Sequence, residues 1–307
     1  MTLFDLDHHG AEPERHGAEP EQHGAEPEQH GADPERQPGD PDESGTRPAH
    51  TVRLRLAVAY DGAGFRGFAA QAGQHTVGGA LAEAVATVVR HPVEITCAGR
   101  TDAGVHALGQ VVHLDVREDV DVAKVVKSVN TLLGPAVVVR RADKVDETFD
   151  ARRSARARHY RYLVLEAAAA DPLLSGTTWH VPGPLDLRAM AAGADALLGE
   201  HDFRAFCRRP PGTEPAAPIV RRVLDATWRE QLPPPDGLRS GERLLRFDVS
   251  AQSFCHQMVR SMVGVLVDVG RGRRRPSDVP AMLRAADRSH ATTVAPPHGL
   301  CLVSVDY

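Results

Sequence analysis

Val52, Leu54, Leu56, Val58 and Tyr60 alternate with Arg53, Arg55 and small residues, the period-two pattern of a half-buried strand. Thr76 then opens a helix that sets Val77, Leu81, Ala84, Val85 and Val88 on one face. Alternation returns at Val112, Leu114 and Val116. A second amphipathic helix follows with Val122, Val125, Val126, Val129, Leu132 and Leu133, stopped by Gly134-Pro135. Ala136 to Arg140 reads as another strand, which completes a β-α-β-α-β unit. Asp186 caps a helix carrying Leu187, Met190, Ala191, Ala194, Leu197 and Leu198, with Gly199 at its end. The stretch from Gly199 to Pro218 reads as loop. Val223 to Arg229 and Leu244 to Val249 read as strands joined through Pro233–Gly237. Met258, Met262, Val263 and Leu266 mark an apolar helical face, Ser277 caps a last helix, and Val303, Val305 and Tyr307 alternate along a final strand.

The first fifty residues break this pattern. Residues 9–36 are a tandem heptad, His9-Gly-Ala-Glu-Pro-Glu-Arg with copies starting at His16, His23 and His30. Each copy holds a proline and a glycine and lacks apolar a and d positions, so a coiled coil is excluded. An acidic, proline-rich segment without core formers is expected to be disordered, through residue 49. The chain is therefore expected to divide into this tail (1–49), an N-terminal α/β domain (50–150) and a C-terminal α/β domain (151–307).

Charge follows the same division. The chain of 307 residues carries a net −5, but residues 1–50 hold thirteen acidic and three basic side chains, a net −10. The remainder is a mildly basic body of net +5, which suits a polyanionic partner. There is no run of about 18 apolar residues and no basic-plus-apolar leader, so no membrane span or export is expected. Cys97, Cys207, Cys255 and Cys301 form no C-x-x-C, and their scatter suggests reduced thiols in a cytoplasmic protein.

One short polar stretch looks built for chemistry: Cys97-Ala-Gly-Arg100-Thr-Asp102-Ala-Gly104-Val-His106-Ala-Leu-Gly109-Gln110. Glycines let the backbone turn and let a bulky ligand approach. Residues two apart in extended chain share a face, so Arg100 and Asp102 are expected to pair. An aspartate is ordinarily ionised at neutral pH and needs no base to act as a nucleophile. A metal-ligand set of Asp102, His106 and His113 is an alternative reading, although its spacing is unlike a helical H-x-x-x-H pair. Between Phe149 and Tyr162 lies the most basic stretch, with Arg152, Arg153, Arg156, Arg158 and Arg161 interleaved with Tyr160 and Tyr162. Guanidiniums for phosphates and rings for bases suit RNA. Arg271, Arg273, Arg274 and Arg275 form a second basic patch. Adjacent Cys255 and His256 suggest a thiol nucleophile only weakly.

The string from Ala98 to Ala107, followed by Gly109-Gln110-Val111, closely resembles the signature of the bacterial tRNA pseudouridine synthase A family. The stretch around Tyr160 and the one around Arg260 resemble that family's later motifs, in the same order. After the first strand the family typically has Trp-Gln where this chain has Phe68-Ala69. The resemblance implies a pseudouridine synthase fold: α/β of the α+β type, two similar domains with mostly antiparallel sheets joined around a central cleft, helices on one face. It implies isomerisation of uridine to pseudouridine in the tRNA anticodon stem-loop, at tRNA positions 38 to 40. Asp102 would be the catalytic residue, Tyr160 would pack against the target base, Arg260 would lie near the aspartate, and Arg100 would fill the vacated stack or hold phosphate. Arg152, Arg153, Arg156 and Arg158 are the expected RNA contacts. A homodimer is implied, and neither cofactor nor metal.

Overall fold

The alternating strand that begins the body, β1 (Thr51–Tyr60), lies second from one edge of a ten-stranded sheet in the computed structural model. The structure describes residues 51–209, 217–231, 241–291 and 293–307. The heptad-repeat segment and the Pro233–Gly237 connection lie outside the described residues.

In chain order, β1 is followed by α1 (Val77–Val89), β2 (Thr96–Cys97), β3 (His106–Arg117), α2 (Val122–Leu133) and β4 (Val137–Val145). Then come β5 (Ala157–Glu166), β6 (Trp179–Val181), α3 (Leu187–Asp195), β7 (Gly199–Asp202), β8 (Val220–Gln231) and β9 (Arg243–Ala251). The chain closes with α4 (Met258–Gly270), α5 (Asp278–Ala285) and β10 (Leu300–Asp306). The sheet order is β4-β1-β3-β10-β5-β9-β8-β7, with β2 on β3 and β6 on β5. Every pair is antiparallel except β3–β10 and β5–β6.

The sheet's two faces follow from the alternation. Leu54, Leu56 and Val58 of β1 and Val112, Leu114 and Val116 of β3 are buried in one continuous core, to which all five helices contribute. On the other face Arg53 pairs with Asp115 and Arg55 with Asp143. A small second cluster lies apart from the helices: Ala98, Val111 and Ala151, with Phe149, Val305 and Tyr307 packed against it.

The centre of the sheet is where the C-terminal strand enters. β10 runs parallel to β3 at Cys301–His106 and Leu302–Ala107 and antiparallel to β5, so it joins the strands of the first half to those of the second. The close approach needs a glycine: a Cβ on Gly109 would sit 2.4 Å from the Val303 carbonyl oxygen.

Several elements differ from the sequence reading. α3 stops at Asp195, short of Leu197 and Leu198, and Gly199, with φ of +94°, opens β7 inside the stretch expected to be loop. Ser277 has helical φ and ψ and makes no side-chain cap; the Asp278 carboxylate accepts from Arg275 N instead. Cys207 and Cys255 are disulfide-bonded, with Cα atoms 5.7 Å apart, whereas reduced thiols were expected. A sequence separation of 48 hides that proximity from sequence spacing. No helix of the described residues is long and apolar enough to cross a membrane.

Candidate active site

The polar stretch 98–105 links β2 to β3 at the middle of the sheet, and it is fastened at nearly every residue. Ala98 N donates to Val111 O at 2.8 Å. The Gln110 side chain, fully buried on β3, donates to Gly99 O at 2.7 Å. Thr101 O accepts from Phe68 N at 3.1 Å, and its hydroxyl shares a 2.8 Å hydrogen bond with the Tyr60 phenol. Val105 N closes a turn onto Asp102 O at 3.1 Å. Phe68 stands where the family typically has tryptophan and still supports the loop. Its side chain is buried, and its backbone bridges Thr101 and Gly78.

Asp102 projects from the middle of this loop and is part exposed. Its Oδ2 accepts from Arg260 Nη1 at 2.9 Å, and His256 Nε2 stands 3.4 Å from Oδ1. Arg260 lies on α4, a helix whose every other residue is buried. Its Nε donates to Ala295 O at 2.8 Å, while its own carbonyl accepts from Ala295 N at 3.0 Å. The segment bearing Ala295 can lie this close because α4 has Gly264 beneath it, where a Cβ would meet Thr293 O at 2.0 Å. The expected partner of Asp102 was Arg100. Arg100 is instead exposed and forms no ion pair with a described residue. An i, i+2 spacing aligns side chains only in a regular strand, and residues 99–105 are a tight loop.

Tyr160 comes from β5 and is 8% exposed. Its ring meets Phe254 edge-to-face with centroids 5.1 Å apart. Burial raises its phenol pKa, and neighbouring Tyr60 and Asp102 push it the same way, so the hydroxyl stays protonated. Buried Tyr60 is likewise raised by burial.

The four arginines expected to meet RNA divide. Arg152, Arg153 and Arg156 are exposed. Arg158 is buried and its guanidinium donates to four backbone carbonyls, those of Ala98, Ala155, Gln252 and Arg152. Two of these bonds reach the start of the Asp102 loop, so Arg158 braces the site from inside and has no face for phosphate. In the second patch, Arg271 lies over the Trp179 ring and Arg274 donates to His290 O.

The alternative set of Asp102, His106 and His113 is not assembled. His113 Nδ1 accepts from Ala151 N at 2.9 Å, and His106 bonds Gly62 N and Gly176 O. Among the described residues no group of three His, Cys, Asp or Glu side chains is disposed to hold a metal ion.

His256 is a site residue that the sequence pattern does not single out. Beside Cys255 it suggests a thiol–imidazole pair, but that sulfur is bonded to Cys207. It lies before the first turn of α4, next to the left-handed Gln257, so no helical spacing to Arg260 marks it in the sequence.

Comparison with known proteins places the chain among tRNA pseudouridine synthases. A family model described as tRNA pseudouridine synthase matches residues 56–152 and 194–307. The chain is 46% identical over 258 residues to a tRNA pseudouridine synthase A from Frankia casuarinae, covering 83% of this chain and 89% of that protein. It is 44% identical over 256 residues to that of Methylobacterium nodulans, with 83% and 96% covered. To that of Leifsonia xyli subsp. xyli it is 40% identical over 276 residues, with 83% and 91% covered.

Proposed function

The chain belongs to the tRNA pseudouridine synthase family, and as such isomerises uridine to pseudouridine in tRNA; we propose that Asp102 is its catalytic carboxylate and the anticodon stem-loop its target. The observation that carries this reading is the Asp102 carboxylate, projected from the motif loop and held by Arg260 from the far half of the chain.

The reaction breaks the N1–C1′ bond of uridine, turns the uracil and forms C5–C1′. Both bonds involve the same electron-poor sugar carbon. An anionic carboxylate serves there as carboxylates do at the anomeric carbon in glycoside hydrolysis, by attacking C1′ or by taking a ribose proton that sets the base free. Arg260 keeps one carboxylate oxygen in place. The protonated Tyr160 hydroxyl and ring offer the uracil a donor and a flat wall. The base must leave the stack to reach them, and exposed Arg100 at the mouth of the loop is suited to fill the gap or meet a phosphate. Arg152, Arg153 and Arg156 add positive charge for the flanking backbone.

The same proposal takes the body as two related units, 50–150 and 151–307, on either side of a cleft at the β3–β10 junction. It takes the enzyme as a cytoplasmic homodimer. The experiment is to map pseudouridine in tRNA from cells lacking the protein and again with it restored. Restored modification confined to the anticodon stem-loop supports the reading. Unchanged modification there, with loss elsewhere, contradicts the target assignment.

A further inference from the structure

The carboxylate of Asp102 is held by Arg260 on one side and approached by His256 on the other, and the second approach is not accounted for by the reaction as described. Arg260 occupies Oδ2. His256 Nε2 faces Oδ1, the oxygen left for chemistry, at 3.4 Å, and the His256 side chain is 45% exposed against 14% for Arg260.

The backbone that carries His256 is unusually well anchored. Phe254 packs on Tyr160. Cys255 is bonded to Cys207. The His256 carbonyl accepts from Arg208 N at 2.9 Å. Gln257 is in the left-handed region with φ of 63°, and its side-chain oxygen accepts from Arg288 Nη2 at 2.9 Å. A non-glycine residue held at positive φ is uncommon and marks a backbone that its surroundings dictate. All of this fixes where the imidazole starts, while the ring itself opens to solvent. Such anchoring fixes the base of a part-exposed side chain at a constant distance from Asp102.

We propose that His256 is a positioning residue, whose Nε2–H holds Asp102 Oδ1 in the orientation that meets the ribose. The inference rests on Asp102 being the catalytic carboxylate. A carboxylate oxygen has two lone pairs, so one bond from His256 leaves the other free for the sugar. Arg260 alone leaves the carboxylate able to rotate about its bond to Nη1; two donors on two oxygens define its plane. A 3.4 Å separation is long for a hydrogen bond, and contacts of this kind tighten when substrate fills the site. Misplacement of a reacting atom by about 1 Å costs on the order of a hundredfold in rate, while substrate affinity need not change.

The test is single-turnover pseudouridine formation beside tRNA affinity for wild type, His256→Phe, His256→Ala, His256→Gln and Asp102→Asn, each checked for a wild-type melting transition. His256→Phe keeps a ring and loses the donor. His256→Ala serves if the phenyl disturbs the loop. His256→Gln restores an N–H at similar reach. The expected result is a rate loss of about ten- to a hundredfold in Phe and Ala at unchanged affinity, with Gln recovering most of it. A wild-type rate in Phe and Ala overturns the proposal. So does a loss that falls wholly on affinity, which would make His256 an RNA contact, or a Gln variant as slow as Ala. Activity in Asp102→Asn would take down the underlying site and this inference together; inactivity there with full activity in the His256 variants removes only His256.

Discussion

Asp102 was legible in the sequence because its motif is contiguous, whereas its partners were not. Arg100, its sequence neighbour, points elsewhere, and Arg260 and His256 arrive from more than 150 residues away. A spacing argument reaches only residues that share one element. His113 shows the same limit. It was a candidate ligand by residue type, and in the structure its Nδ1 accepts from Ala151 N on the face opposite the helices. Burial, and secondarily the positive charge of Arg53, lower its pKa, so the folded protein keeps it neutral. The unfolded chain takes up a proton at its ordinary value, near pH 6.5, before the folded one does. Its contribution to stability is therefore present above about pH 6.5 and is lost as pH falls from there towards the lowered folded value. Thermal melts from about pH 7.5 down to about 5.5 are expected to show a larger fall for wild type than for His113→Asn, which keeps an acceptor for Ala151 N and cannot be protonated. Equal falls would contradict this assignment.

At the level of elements, periodicity located β1, α1 and α2 closely, since each has a wet and a buried side, but it caught only the 112–116 end of β3, where Gln110 to Leu114 are all buried. It missed β2 and β6, which are too short to show a period, and β7, which begins at a glycine. β5 exposes a subtler failure. Its arginines read as one solvated, RNA-facing row, yet Arg158 turns inward onto carbonyls, and Arg161 lies 3.7 Å from Asp248. Residue type could not separate a phosphate ligand from a buried brace; strand register did. Replacing Arg158 by Met would strand several buried carbonyls, at a cost of about 3 kcal/mol in urea unfolding. Converting Arg152, Arg153 and Arg156 together to Ala is expected to leave stability within about 0.5 kcal/mol, because surface changes away from packed features are nearly neutral. The same triple variant should weaken tRNA binding and lower its salt dependence by about two phosphate contacts' worth. A triple variant that binds as wild type at every salt concentration would remove these side chains from the interface.

Across the whole molecule, a mixed α/β fold with mostly antiparallel strands was readable, and the strand order was not. The last strand sits in the middle of the sheet, parallel to β3, a pairing almost 200 residues apart along the chain. No local pattern encodes such a pairing; the nearest trace is Gly109, which makes room for it. Charge is also organised at this scale, with net −10 in residues 1–50 and +5 in the remainder. A chain lacking residues 1–49 is expected to keep its turnover, because the strands, core and site residues described above all lie beyond them. It should bind tRNA somewhat more tightly at low salt, with the difference fading as screening shortens the range of the acidic charges. An inactive or insoluble truncated protein would contradict this view of the tail.

The proposed chemistry depends on the charge of one carboxylate at the β3–β10 junction. Asp102→Asn keeps the size of the side chain and an oxygen for Arg260, and removes the negative charge and most of the nucleophilicity. The glycosidic bond of uridine is not labile, so the loss is expected to exceed about 4 kcal/mol of barrier, a thousandfold or more. Affinity for tRNA should hold or rise slightly, since one negative charge facing phosphates is gone. The measurement is the single-turnover rate of pseudouridine formation beside tRNA affinity, for wild type and Asp102→Asn. A rate down at least a thousandfold at undiminished affinity is the predicted result; a variant that still makes pseudouridine at a tenth of the wild-type rate would contradict it.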